Sequence, residues 1–498
     1  MSDCGAVRNE ASLRELPSWG VARVGKSTLS RTLTEKIEAF VADVMKKDHI
    51  PGLSLAVVRN GRVAYAKGFG ARNLKANLPA TPDTLYEIGS VTKSFTALAV
   101  MQLQAQRKLN VGDPVGKYVP EFKLGSESNP IRIRHLLSHS SGVPDLGVAL
   151  IHILRSLEVD EYWIPVSSVD DLLTHINGAK DWVAAAPGER FFYFNEGFNL
   201  LGIIVERVSG VSYGEHVSEQ ILKPLGMNRS GFPDQMSDEE GDVATPYWIQ
   251  MKEKRLVATP TTPPLASFKW EYPAGGMMSS VLELSKYLIA NLNRGKFEGG
   301  RLLNPKGFAE LHEPRMKTGQ NSWFGGPSLY GYGWEIVNDF FGHRCIGHSG
   351  STFTGSAAVE FLPDLGTGVA VASNNGAADS VSSTIPSFVL ALLLGKDPIK
   401  EVPLLASEER VGQLVGDYQT YKGVSRVSVS EKGGVLLLES KDPINEGTTI
   451  ALIPEEYDLS TWRFHCFLNR TKTPVEFVIG PSGKIDLYIE MGRYQKAS

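Results

Sequence analysis

Strand-forming runs stand near both ends of a long helical middle, and this order limits the folds open to the 498 residues. At the front, GLSLAVVRNGRVAYAKGFG (52–70) reads as two strands joined at Asn60-Gly61, a pair suited to a two-residue hairpin turn. Far downstream, SAAVEFLPDLGTGVAVASN (356–374) reads as two more, turning between Pro363 and Gly368. Helical patterns lie between them: SVTKSFTALAVMQLQAQRKL (90–109), apolar on most faces and free of interior Gly or Pro, then GFNLLGIIVERVSG (197–210) and LELSKYLIANL (282–292). An amphipathic helix precedes the first strands. In it Leu29, Leu33, Ile37, Phe40, Val41 and Val44 recur at spacings of three and four, with Ser27 and Thr28 as candidate caps. A helix at about 383–395 follows the last strands. One mixed sheet assembled from the two ends of the domain, with helices packed on it, satisfies this order; the expected class is α+β, an α/β sandwich.

Past Lys396 the texture changes. Residues 396–409, KDPIKEVPLLASEE, are polar and Pro-containing and read as a linker. Beyond them VSRVSVSEKGGVLLLES (424–440) and TPVEFVIGPSGKIDLYIEMG (473–492) read as short strands with Gly turns, so 410–498 is expected to be a small all-β domain of barrel type. The expected division is an extension at 1–28, a main domain at 29–395, the linker and the β domain.

Charge and cysteine content narrow the function. Lys plus Arg number 51 against 55 Asp plus Glu, a net charge of -4 that offers no footprint for nucleic acid or an anionic membrane. Cys4, Cys345 and Cys466 are scattered without ligand spacing and read as inert thiols. The polar N-terminal stretch lacks the apolar segment of a secretory signal, no run approaches the ~20 apolar residues of a membrane span, and the expected location is cytoplasmic.

Three short groups of residues carry candidate chemistry. Ser90-Val91-Thr92-Lys93 begins the buried helix, where backbone N–H groups and the helix dipole favour a developing alkoxide and oxyanion. Lys93, at i+3, shares a face with Ser90, and burial would lower its pKa toward that of a base. S-x-x-K arises by chance about twice in a chain this long, so its place on an apolar helix counts for more than the pattern, whose alternative is a helix cap with an incidental lysine. Tyr193-Phe194-Asn195 lies in a loop before a helix; a phenol serves as a base at neutral pH only where a cation such as Lys93 stabilises the phenolate. Alone, the triplet reads equally as an aromatic loop on the core. His348-Ser349-Gly350-Ser351 precedes a strand, and Gly350 would admit a close backbone approach with an N–H beyond it for an oxyanion hole.

Two other patterns are set aside. Residues 20–27, GVARVGKS, satisfy the P-loop pattern, but LRELPSW before them is broken by Pro17 where an apolar strand is required. His135 and His139 have zinc-like spacing without a third ligand and read as packing residues. The sequons at Asn228 and Asn469 are expected to stay unmodified in a chain without a secretory signal.

Taken in order, Ser90-x-x-Lys93, Tyr193-x-Asn195 and His348-x-Gly350 resemble the three-motif signature of the serine β-lactamase and penicillin-binding-protein superfamily, in its class C-like esterase and D-aminopeptidase branch. IRHLLSHSSGVPD (133–145), PGERFFYFNEGFNLLGIIVERVSG (187–210) and PAGGMMSS (273–280) are similar to the same group, over about residues 30–395. The resemblance implies a β-lactamase/transpeptidase-like sheet flanked by helices. It implies Ser90 as acylated nucleophile, Lys93 and Tyr193 as proton-transfer pair, Asn195 as partner of Lys93 and substrate, and an oxyanion hole from the N–H groups of Ser90 and Ser351. No metal or organic cofactor is implied. Where relatives carry a lysine in the third motif, His348 is expected to be largely neutral near pH 7, which weakens recognition of a substrate carboxylate. The β domain resembles the lipocalin-like barrels appended to peptidases of the superfamily. The expected activity is hydrolysis of small esters or amides. The alternatives are cleavage of short peptides, D-residues included, a weak β-lactamase, or a non-hydrolytic penicillin-binding sensor; homo-oligomer formation stays open.

Overall fold

The computed structural model describes residues 11–12, 28–159, 164–236, 241–252, 255–263, 268–322, 326–376, 380–442, 447–456, 461–468 and 470–497. Cys4 and the P-loop-like stretch at 20–27 lie outside them, as does Asn469. The chain divides into two units, one ending at Leu394 and one beginning at Gly395.

In the first unit helix α1 (Arg31–Lys47) is capped by Ser30, whose hydroxyl accepts from Leu33 N; Thr28, a cap expected from sequence, instead donates its backbone N–H to Ala64 O. Strands β1 (Gly52–Arg59) and β2 (Arg62–Asn73) form the expected hairpin, with Asn60 at φ 53° and Gly61 at φ 72°, the left-handed pair such a turn demands. A short β3 (Leu78–Pro79) continues from β2. The distal end supplies β4 (Met316–Asn321), β5 (Pro327–Tyr330), β6 (Glu335–Phe340), β7 (His343–Ser351), β8 (Ser356–Leu362) and β9 (Thr367–Ser373). These strands make one open nine-stranded sheet in the order β4-β5-β6-β7-β8-β9-β1-β2-β3, its two halves joined where β9 lies along β1 from Thr367↔Arg59 to Ser373↔Leu53. Its ladders are antiparallel throughout, so the sheet is mixed in the origin of its strands and not in their direction. The short links between strands consecutive in the chain impose this on every ladder but that of β9 with β1, since a parallel pair needs a crossover of a dozen residues or more.

Strand β1 is buried on both faces. Ala56 and Val58 join the main core, and Leu55 and Val57, pointing the other way, are equally inaccessible. Helices α2 (Thr92–Ala105), α5 (Asn195–Ser209) and α7 (Val281–Leu292) contribute to that main core, where the Phe95 ring stacks on Tyr287 at 3.9 Å. Helix α8 (Ile385–Leu393) packs on β9 and on α1, with Phe40 stacked on Phe388 at 3.7 Å. Between α2 and α5 lie the short α3 (Ile133–Leu137) and α4 (Val148–Ser156); α6 (Tyr272–Gly275) precedes α7. Helix α2 stops short of the expected residue 109 because Arg107 is left-handed (φ 59°) and Lys108 N closes back on Leu103 O.

The second unit opens with helices where the sequence predicts a linker at 396–409: Pro398–Glu401 and α9 (Pro403–Leu414). Both prolines stand in a first helical turn, where the missing N–H costs nothing. Eight strands then close a barrel: β10 (Gly416–Gln419), β11 (Arg426–Lys432), β12 (Val435–Ser440), β13 (Thr449–Pro454), β14 (Arg463–Leu468), β15 (Thr471–Ile479), β16 (Ile485–Ile489) and β17 (Gly492–Lys496). Alternate residues point inward, Val427 and Val429, Leu436 and Leu438, Phe464 and Cys466, Val475 and Phe477, and they occupy the lumen as a packed core. Among the described residues no helix is long and apolar enough to cross a membrane.

Candidate active site

Ser90 stands in a 3-10 turn, Gly89–Val91, that runs directly into α2. Two glycines make its surroundings. Gly89 has φ 49°, and a Cβ there would come within 2.7 Å of Ser351 N and 2.9 Å of Gly350 C. A Cβ on Gly350 would in turn collide with Ile88 O and Ser90 N. The end of β7 therefore lies against the nucleophile turn backbone to backbone, with Ser351 N beside Gly89 and Ser90 N beside Gly350.

Lys93, wholly buried one turn along α2, donates from Nζ to Ser90 Oγ at 2.9 Å, to Asn195 Oδ1 at 2.8 Å and to Ala274 O at 2.6 Å. Burial lowers its pKa to about 7, against the opposing pull of Asp145 and Glu196. Near neutral pH a large share of the side chain is thus an amine, whose two N–H groups serve Asn195 Oδ1 and Ala274 O while its lone pair faces the hydroxyl of the half-buried Ser90.

Tyr193 presents its ring to Lys93, with Nζ 4.8 Å from the ring centroid. Burial pushes the phenol well above its ordinary range, opposed by a hydrogen bond with Ser90. The sequence pointed to a phenolate held by a lysine cation; in the structure Lys93 faces the ring and desolvation dominates at the hydroxyl, so Tyr193 keeps its proton and Lys93 is the group poised to accept one.

His348 is buried in β7, and burial together with the Lys93 charge lowers its pKa to about 3. Its Nδ1 lies 2.6 Å from Ser349 O and its Nε2 2.8 Å from Tyr330 Oη. A carbonyl only accepts, so Nδ1 carries the hydrogen and Nε2 accepts from the Tyr330 hydroxyl. The imidazole is neutral, as expected, and both of its nitrogens are engaged by protein.

Three residues to which the sequence gave no part, and His139, which it read as a packing residue, border the same centre. Ala274, the second residue of PAGG, supplies a carbonyl to Lys93. Asp145 Oδ2 accepts from Asn195 Nδ2 at 2.6 Å. Glu196, fully buried, accepts from Val148 N at 3.0 Å and Leu146 N at 3.4 Å, and burial raises its carboxyl. His139, left-handed at φ 52°, accepts at Nδ1 from Phe194 N at 2.9 Å and lies 4.2 Å, centroid to centroid, from the Tyr193 ring. It backs the tyrosine, while His135 Nδ1 accepts from Arg132 N at 3.2 Å. No group of three His, Cys, Asp or Glu placed to hold a metal ion occurs among the described residues. Asp145 and Ala274 fall inside segments whose likeness to the superfamily was visible, but their contacts cross long stretches of chain.

Known proteins resemble this chain in both units. The family described as Beta-lactamase matches residues 37–385, and that described as Pab87 octamerisation domain matches 398–495. The structure of the octameric penicillin-binding protein homologue from Pyrococcus abyssi is 37% identical and covers 93% of this chain and 100% of its own, with a TM-score of 0.84. A class C beta-lactamase, 22% identical, shares the fold over 74% of this chain and 98% of its own at a TM-score of 0.59. Protein flp of Staphylococcus aureus (strain MRSA252) is 29% identical over 350 residues, 70% of this chain; the match takes in 64% of that relative's own length.

Proposed function

Because the chain belongs to the beta-lactamase family, we propose that it is a serine hydrolase that acylates Ser90 and hydrolyses small esters or amides. One observation carries the reading: a wholly buried Lys93, with its pKa lowered to about 7, hydrogen-bonded at 2.9 Å to a serine at a helix start.

In the first step the Lys93 amine takes the Ser90 hydroxyl proton as Oγ attacks the carbonyl, and the N–H groups of Ser90 and Ser351 receive the oxyanion. Tyr193, protonated and bonded to Ser90, passes its proton to the leaving group and is reprotonated by the Lys93 ammonium. Water then attacks the acyl-enzyme, giving its proton to the same pair, and Ser90 leaves with a proton restored. Asn195 steadies Lys93 through the cycle. The neutral His348 offers no fixed cation to a substrate carboxylate, which favours substrates without one and makes β-lactam hydrolysis a side activity at most.

The barrel has a separate part in the reading. Its match to an octamerisation domain and the 37% identity to an octameric homologue support assembly of this chain into a homo-oligomer.

The test is hydrolysis of p-nitrophenyl acetate and butyrate, D- and L-alanine p-nitroanilide and nitrocefin by the wild type and Ser90→Ala. Ester turnover that falls to background in the variant, with nitrocefin slow in both, is expected; a dominant anilide activity moves the assignment to peptide substrates. Equal turnover by Ser90→Ala overturns the proposal.

A further inference from the structure

The amide of Asn195 has an oxygen and a nitrogen of nearly equal shape, and only one of the two orientations gives Lys93 an acceptor. Its neighbour on the other side decides between them. Asp145 Oδ2 lies 2.6 Å from Asn195 Nδ2, and a carboxylate oxygen accepts but does not donate. The nitrogen is thereby held toward Asp145 and the oxygen, 2.8 Å from Nζ, toward Lys93. The carboxylate is itself fixed. Gly147 N donates to its Oδ1 at 2.8 Å, Gly147 is left-handed at φ 78°, and the backbone on either side of Gly147 is pinned by Glu196 through Leu146 N and Val148 N. Two consecutive residues at the start of α5, Asn195 and Glu196, thus grip one loop: the first is held by the loop's carboxylate and the second holds its N–H groups.

We propose that Asp145 is a positioning residue for the reaction: it locks the Asn195 amide with its oxygen on Lys93 and so keeps Nζ aimed at Ser90 Oγ. The inference rests on the reading of Ser90 as nucleophile. The remaining groups around Lys93 do not duplicate this part. Ala274 O is a fixed backbone acceptor, Tyr193 is a phenol, His139 and His348 are kept neutral by burial, and Glu196 spends its oxygens on the loop. Asp145 also places a negative charge near Nζ, which favours the ammonium.

Asp145→Ala and Asp145→Asn are compared with wild type. The readouts are kcat and KM for p-nitrophenyl acetate and the pH dependence of fluorophosphonate labelling of Ser90, located by mass spectrometry. Asp145→Ala is expected to lower kcat by about 10–100-fold with KM little changed. In both variants the acidic limb of Ser90 labelling should move to lower pH, because loss of the carboxylate makes the ammonium easier to deprotonate. Asp145→Asn keeps an acceptor of the same shape and should retain more kcat than the alanine variant. The amide lock is overturned if both variants, with thermal unfolding matching wild type, keep wild-type kcat and labelling limb. It is overturned equally if kcat falls only as far as the folded fraction falls while the limb stays in place. The labelling readout reports on Lys93 at Ser90 whatever the natural substrate, so failure of the hydrolase reading, seen as ester turnover that survives Ser90→Ala, is distinguishable from failure of the lock.

Discussion

A lysine side chain with no exposed surface is a liability for folding, because the ammonium it would carry in water must be shed or desolvated. The pKa of Lys93 falls from 10.5 to about 7 on folding. Between those values the unfolded chain binds more protons than the folded one, so the penalty is full below pH 7, shrinks as pH rises and is gone above about pH 10.5. Lys93→Met is accordingly expected to abolish ester hydrolysis yet raise stability by about 2–3 kcal/mol at pH 6, net of the acceptors left unpaired at Ser90, Asn195 and Ala274. Chemical denaturation at several pH values checks this; the gain should narrow between pH 7 and 10. The same titration predicts that kcat/KM of the wild type rises through an apparent pKa near 7 as the base form of Lys93 appears. Gly350→Ala, which drives a methyl into Ser90 N, should reduce kcat by at least 10-fold through displacement of β7 from the nucleophile turn.

Among the elements, the turn from Ser351 to Gly355 between β7 and β8 shows how far a scaffold holds the site against local preference. Phe353 is left-handed at φ 64° and 51% exposed, an unfavourable conformation for an aromatic residue. Its neighbours enforce it. Thr352 N donates to Gly355 O at 2.9 Å, and Thr354 Oγ1 donates to Glu87 Oε2 at 3.0 Å; burial lifts the Glu87 carboxyl to about 8. Phe353→Asn, which tolerates this φ, is expected to stabilise the protein by about 1 kcal/mol in urea unfolding. The elements also explain what could be read in advance. The Asn60-Gly61 hairpin was legible because two successive residues with φ > 0 leave few sequences able to form it. The helix at 403–414 was not, because Pro398 and Pro403 read as breakers, although at a first turn they start helices. Ser90, Lys93, Tyr193 and His348 were visible through their order along the chain. Asp145, Glu196 and the Ala274 carbonyl were not, because their partners are chosen by packing between segments far apart in sequence, and a backbone carbonyl leaves no mark on residue identity.

At the scale of the whole molecule, the two units have separate cores. Tyr418 is buried at the start of the barrel, its hydroxyl donating to Leu414 O at 2.7 Å and its ring set edge-on to Phe477. Tyr418→Ala should remove about 3–5 kcal/mol from the barrel. Calorimetry is expected to show a transition split off below that of the first unit; if the proposed assembly through the barrel and the proposed ester hydrolysis hold, light scattering should give a lower mass while hydrolysis persists. The central sheet has a different consequence, for synthesis. Strand β1 emerges early, apolar on both faces, but the strand that lies beside it, β9, is made only when most of the first unit has been translated. Until Thr367–Ser373 leaves the ribosome, one edge of the β1–β2 hairpin stays unpaired and open to strands of neighbouring nascent chains. The nascent chain therefore passes through a long interval in which that edge is a route to misassembly, whatever the stability of the finished fold.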